Sequence, residues 1–352
     1  MKKILIDLYK VKNPYSGLGQ FSLQFARELS DNYSHEFEFH FLLPRTHEIQ
    51  YSPLIKIITD NPLLRFWKAS HEQYDLWHSL YQMPTHRPPR SFKHLMTIHD
   101  LNFLIEKEGK KQEKYLSKLI KDVNSADHIS TISNFTKSQI KDHLPVGNTD
   151  IEVIYNGIKH LPSSKAKKPT FINDDYAKSF FSISLFSAKK NLAVLLPVMK
   201  NFPDTRLVLA GDHKNEYGNK IKEEIVRLGL ENQILLPGKI SDSEKVYLYQ
   251  HCEAFLFPSI AEGFGMPVIE AMQFGKPAFL SRLTSLPEVG GDAAHYFDNF
   301  EPSRMTEQIK SGLRSYHANK ANHSFDIKDQ ASKFTWKRSM DSYIDFYHRI
   351  VT

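Results

Sequence analysis

The sequence predicts a two-domain α/β protein in which each half is a doubly wound parallel sheet. Short apolar runs alternate with segments of helical period along most of the chain, the pattern of parallel strands joined by helices. At 352 residues the chain is too long for one ordinary domain. Between two alternating halves, the segment 161–176 (LPSSKAKKPTFINDDY) turns rich in Pro, Ser and Lys, as an interdomain linker does. Domains are therefore expected at 1–160 and 170–333, followed by a terminal helix at 335–352.

In the first half, strands are expected at 3–9, 37–44, 55–59, 75–78, 94–100, 128–133 and 150–158. Helices are expected from about Gln20 to Leu29 and over 114–126 and 135–144. The pattern restarts with strands at 179–186, 205–211, 232–238, 253–259, 277–281 and 295–297, with helices between them. The end, 334–351, reads as an amphipathic helix with aromatics at Phe334, Trp336, Tyr343, Phe346 and Tyr347.

Bulk properties narrow the function classes. The content of Lys and Arg, 46 against 40 Asp and Glu, leaves a modest positive excess that suits nucleotide phosphates, an anionic membrane surface or nucleic acid. A nucleic-acid binder needs a clustered basic face with interleaved aromatics, and here acids stand among the bases. No nucleic-acid partner is expected. No run of eighteen apolar residues occurs, so no transmembrane helix is expected. Asp7 interrupts the short apolar run after the first lysines, which favours a first strand over a signal peptide. The single cysteine, Cys252, rules out an internal disulfide framework and favours a core role and a cytoplasmic setting.

The most informative stretch is 258–277, PSIAEGFGMPVIEAMQFGKP. Glu262 stands on a glycine-rich loop after the buried strand 254–257, and Glu270 stands eight positions later, near the start of the helix that follows. Backbone N–H groups at such a loop and helix start favour anionic or hydroxyl-rich ligands. Two carboxylates there can accept from several hydroxyls, with sugar and ribose hydroxyls the obvious candidates. Gly17-Leu18-Gly19 lies between the first strand and first helix, where two glycines let backbone amides approach a phosphate. His99-Asp100 follows a strand, and an imidazole there can donate to or accept from a substrate hydroxyl, with Asp100 placed to hold its tautomer.

The stretch 258–277, with SLPEVGGDAAHYFD at 285–298, resembles the signature of retaining glycosyltransferases of the GT-B fold, the large family four. The resemblance implies two Rossmann-like domains facing across a cleft, with the terminal helix crossing back onto the first. It implies transfer of a hexose, such as mannose or glucose, from a nucleotide sugar such as a GDP- or UDP-hexose to a glycan or lipid-linked glycan. The setting would be bacterial surface polysaccharide or lipopolysaccharide assembly.

By the same resemblance Glu270 binds the donor ribose. Glu262 binds the sugar hydroxyls with the backbone of Phe264, Gly265 and Met266. Lys190, with Lys189, clamps the diphosphate, and Gly17 and Gly19 contact it from the first domain. Ile240 borders the base, and His99 contacts the transferred sugar near the reacting bond. Two positions depart from the pattern: Gln20 and Leu185 stand where many relatives carry Arg.

No Asp-x-Asp occurs and no Cys/His zinc spacing, so metal-independent chemistry with no cofactor is expected, the diphosphate being stabilised by Lys190, loop amides and helix dipoles. The alternatives are a sucrose- or glycogen-synthase-like enzyme or sugar epimerase of the same fold, and a non-catalytic basic nucleic-acid-binding protein. The lysine-rich segment 106–121 reads either as a solvated helix face or as a patch for peripheral contact with an anionic membrane at its inner face.

Overall fold

A computed structural model of the chain describes residues 1–13, 16–45, 49–60, 73–147, 149–172 and 178–352. The chain forms two compact units, one of residues 1–157 with 335–352 and the other of 158–334. Part of the expected linker, 173–176, lies outside the described residues.

The first unit runs β1 (Lys3–Asp7), α1 (Gly17–Asn32), β2 (Glu38–Leu43), β3 (Lys56–Thr59), β4 (Leu76–Ser79) and β5 (Lys93–Ile98). It continues through α2 (Phe103–Glu106), α3 (Gly109–Val123), β6 (His128–Thr131), α4 (Asn134–His143) and β7 (Ile151–Val153). The strands form one parallel sheet of order β3-β2-β1-β4-β5-β6-β7. The first helix starts three residues earlier than the sequence predicts because the Ser16 side chain caps it, accepting from Gly19 N–H. β7 is shorter than expected, ending at Val153, and the rest of 150–158 is irregular.

The terminal helix, Trp336–Val351, belongs to this unit. It buries Met340, Tyr343, Tyr347 and Ile350 against Phe25, Phe39 and Leu76. Phe334, read from sequence as part of the same helix, belongs to the second unit and packs on Phe264. Gly157 lies against the backbone and ring of Trp336, and a Cβ there has no room. Beneath the helix, His78 joins Tyr347 Oη (2.6 Å) and Thr97 Oγ1 (2.8 Å), and Thr97 joins Ser130 Oγ (2.7 Å). Burial pushes the His78 imidazole well below its ordinary range, so it is neutral.

The second unit runs β8 (Ser179–Ile183), α5 (Leu195–Met199), β9 (Arg206–Ala210), α6 (Glu216–Leu228), β10 (Ile234–Gly238), α7 (Asp242–His251) and β11 (Ala254–Phe257). Then follow α8 (Met266–Met272), β12 (Ala278–Ser281), α9 (Leu286–Gly290), β13 (His295–Phe297), α10 (Pro302–Ala318) and α11 (Lys320–Ser332). Its sheet is parallel throughout, with order β10-β9-β8-β11-β12-β13. Both sheets reverse direction of winding beside their first strand, which opens a crevice at the carboxyl ends of the strands in each unit. The described part of the expected linker is not loose: Leu161 N–H donates to Gln273, Lys167 N–H to Ser243 O, and Gln250 donates to Ser163 O. These contacts tie it along the second unit.

Candidate active site

At the carboxyl edge of the second sheet, three strand-end loops are stitched together. Ser184 N–H donates to Ala210 O, and Gly211 N–H donates to Gly238 O. Gly211 has φ +135°, and a Cβ would run into Ser184 O, so only glycine fits this crossing. The loop after β8 is joined to the loop after β11 through the carbonyl of Lys189, which accepts from Ile260 N–H (2.8 Å) and Ser259 Oγ (3.1 Å). From behind, Ser285 Oγ donates to the carbonyls of Glu262 and Phe264, and Glu262 N–H donates to Thr284 Oγ1.

That stitching brings Lys190 and Glu262 together. Lys190 Nζ lies 2.5 Å from Glu262 Oε1 and 5.5 Å over the Phe257 ring. Both side chains are largely buried, 15 % and 11 % exposed, so each charge has the other as its partner in a poorly solvated place. Gly265 caps α8 at φ +102°, with Leu286 against the position a Cβ would take. Met266 and Pro267 open the helix behind it.

Glu270 sits further along α8 than the sequence reading placed it, and it has two partners on α7. Its Oε1 accepts from Lys245 Nζ and its Oε2 from Tyr249 Oη, each at 3.0 Å. Neither partner carries a local sequence signal. Also on α7, Glu244 completes a capping box with Ser241, and Tyr247 stacks on His251 at 4.0 Å. Ile240 is half-buried just past β10. Leu185 is 62 % exposed. The hydroxyl oxygens of Ser184 and Ser187 and the Nδ1 of His213 are buried without a partner in the described structure. Orphaned polar atoms at a strand-end crevice are what a polar ligand satisfies, and no sequence motif pointed to them.

The residues assigned from the first unit lie at the carboxyl edge of its own sheet. Gly17 and Gly19 form the first turn of α1 rather than a loop ahead of it. Gly19 is glycine because the Asn13 carbonyl occupies the place of a Cβ; Gly17 has open space around it. His99 is buried, its ring edge-on to Phe21 at 4.8 Å. Its tautomer is set by the Leu80 carbonyl, which accepts from Nε2 at 2.8 Å, while Asp100 Oδ1 accepts from Asn102 N–H. Nδ1 is thereby left as a hydrogen-bond acceptor.

Burial lowers the His99 pKa from 6.5 to about 4, so the ring stays neutral through ordinary buffers. The unfolded chain takes up this proton below about pH 6.5 and the folded chain does not, so stability falls as pH drops toward 4, by about 3 kcal/mol from His99. His78 acts in the same direction. Asp7 opposes them: burial raises its pKa to about 6, so it favours the folded state as pH falls over the same window. With two histidines against one carboxyl, the urea midpoint is expected to fall between pH 7 and pH 4.5. A midpoint that rose would refute the buried neutral imidazoles.

Comparison with known proteins places these features. The profile described as glycosyl transferases group 1 matches residues 163–330, and that described as glycosyltransferase family 4 matches residues 21–160. The O-antigen chain mannosyltransferase B of Escherichia coli is 26 % identical, the alignment covering 98 % of this chain and 99 % of that one. Among solved structures, a sucrose-phosphate synthase from Thermosynechococcus elongatus superposes with a TM-score of 0.77 at 15 % identity, covering 99 % of each chain. Anabaena HepE in complex with UDP and glucose superposes with a TM-score of 0.71 at 17 % identity, covering 99 % of this chain and all of that one. With both halves of the chain matched and two parallel-sheet units of the corresponding fold, the chain belongs to the group 1 glycosyltransferases and carries their GT-B fold.

Proposed function

We propose that this glycosyltransferase moves a hexose, mannose or glucose, from a GDP- or UDP-sugar to a glycan or lipid-linked glycan in surface polysaccharide assembly, with retention of anomeric configuration and without a metal. The observation that carries the reading is the pair of lysine–glutamate contacts at one sheet edge, Lys190 with Glu262 and Lys245 with Glu270. The name of the Escherichia coli relative supports mannose and an O-antigen product; the bound ligands of HepE support a nucleotide sugar.

In this reading Glu270 accepts from the ribose hydroxyls and Glu262 from hydroxyls of the transferred sugar, beside the backbone of Phe264, Gly265 and Met266. Lys190, with Lys189, offsets the charge of the departing diphosphate, as do the amides near Gly17 and Gly19. The hydroxyls of Ser184 and Ser187 are placed on the same loop as these lysines. Ile240 borders the base. Neutral His99 accepts a sugar hydroxyl at Nδ1. The leaving phosphate itself takes the acceptor proton, so no enzymic nucleophile is required.

Thermal-shift screening against GDP, UDP, ADP and CMP tests the donor. A nucleotide that binds only the folded chain at 100 times its Kd stabilises by about 2.7 kcal/mol, a rise of several degrees. A flat response to all four removes the nucleotide-sugar reading. Transfer to a lipid-linked acceptor with EDTA present, and an NMR reading of the product anomer, then test metal independence and retention.

The proposed acceptor gains support from α3. Its buried stripe is Leu119 and Val123 with Leu116 and Ile120 half-buried. At 100° per residue, Lys110, Lys111, Lys114, Lys118 and Lys121 fall within an arc of roughly 100° opposite that stripe, and all five are exposed. Among the described residues no helix is long and apolar enough to cross a membrane, and we assign this lysine face to peripheral contact with anionic lipid. Sedimentation with vesicles of phosphatidylcholine, with and without phosphatidylglycerol, is expected to show binding to the anionic vesicles alone. Replacing three of these lysines with Gln should abolish it; no binding at low salt overturns the assignment.

A further inference from the structure

We infer that Lys245 and Tyr249 are positioning residues for Glu270, and that through it they set a preference for ribonucleotides over 2′-deoxyribonucleotides. This rests on the reading of Glu270 as the ribose-binding carboxylate.

Lys245 and Tyr249 stand four residues apart on α7, so they project from one face of that helix. Each takes a different oxygen of Glu270, at the same distance of 3.0 Å. A carboxylate rotates about its last bond unless both oxygens are engaged; here both are, so the plane of the group is fixed. Each oxygen accepts twice, and one acceptor position on each remains. Glu270 keeps 19 % of its side chain exposed. Two remaining positions on one fixed carboxylate match two neighbouring hydroxyls, the arrangement of a ribose 2′,3′-diol.

The two donors are themselves held. Tyr249 is fully buried, with its ring against Phe181 (5.1 Å), Phe255 (5.6 Å) and Phe274 (5.8 Å). Lys245 is 16 % exposed and has Asp242 at 3.6 Å as a second, largely solvated partner. Its ammonium also balances the Glu270 charge, which otherwise would stand uncompensated beside an anionic diphosphate. A nucleotide lacking the 2′-hydroxyl leaves one aimed acceptor unpaired, which a rotating carboxylate would avoid by turning away.

Calorimetric titration of the whole protein with UDP against 2′-deoxyUDP, and GDP against 2′-deoxyGDP, reads this directly. The wild type should prefer the ribonucleotide by roughly 10- to 100-fold. Tyr249→Phe and Lys245→Met should each bring that preference to within about 3-fold, because the freed carboxylate can turn away from a 2′-deoxynucleotide and no longer penalises it, and Lys245→Arg should keep the wild-type preference. A merely structural role would lower both affinities together, with a lower melting temperature and an unchanged ratio; that result overturns the inference. If Glu270→Gln loses the preference while Tyr249→Phe and Lys245→Met keep it, positioning fails and the ribose reading stands. If Glu270→Gln also keeps it, or the folded wild type binds no nucleotide, the ribose reading falls and the inference with it.

Discussion

Lys190→Met should lower kcat by about 10²- to 10³-fold, the usual effect of removing one fixed donor from a developing anion, while the protein stays folded. The ammonium lies on the Phe257 ring against Glu262, with little water around it, so its charge acts with little screening. Met fills much of the same space, which leaves the apolar packing in place. Donor KM should change less than kcat, because the largest charge on the leaving diphosphate develops in the transition state. Glu262→Gln keeps the shape and removes the charge. Since each of these residues is the other's partner, the double variant should fall well short of the product of the single effects. If either single variant turned over at the wild-type rate with a donor that the wild type uses, the catalytic assignment would be wrong.

The contact between Lys190 and Glu262 is not legible in the sequence, where the two stand 72 positions apart on the loops after β8 and β11. Glu262 and Glu270 were legible because a strand, a glycine loop and a helix follow in order, and the alternation of apolar runs made both parallel sheets legible. Parallel strands are buried on both faces, so they stand out as short apolar blocks. Their ends did not: β7 and β8 stop at Val153 and Ile183, where apolar residues continue into loops that a period-two pattern cannot distinguish. Gly17-Leu18-Gly19 looked like a loop because glycine is a poor helix former, yet Ser16 caps the helix and the Asn13 carbonyl requires Gly19. Lys245, Tyr249, Ser184 and Ser187 carry no local signal. Their meaning comes from pairing across elements distant in sequence, as does the Leu80 carbonyl that fixes the His99 tautomer.

The terminal helix carries the largest expected effect on stability. Tyr347→Ala should destabilise the chain by about 3–5 kcal/mol from lost burial alone. Its hydroxyl also partners His78 Nδ1 at 2.6 Å, in a cluster with Thr97 and Ser130 from which water is excluded. Leaving that nitrogen unpaired adds about 1–3 kcal/mol. Against a total stability of about 5–15 kcal/mol, this is enough to unfold much of the first unit at 37 °C. Tyr347→Phe separates the two contributions: it keeps the ring and removes only the hydroxyl, so about 1–3 kcal/mol is expected. Urea melts give the magnitudes, and hydrogen exchange locates the loss. Faster exchange should appear in β1, β4, α1 and the terminal helix, while the strands of the second unit, which has its own core around Leu195, Leu207 and Leu256, keep their protection. A loss spread equally over both units would mean that residues 335–352 do not belong energetically to the first sheet, whatever their packing.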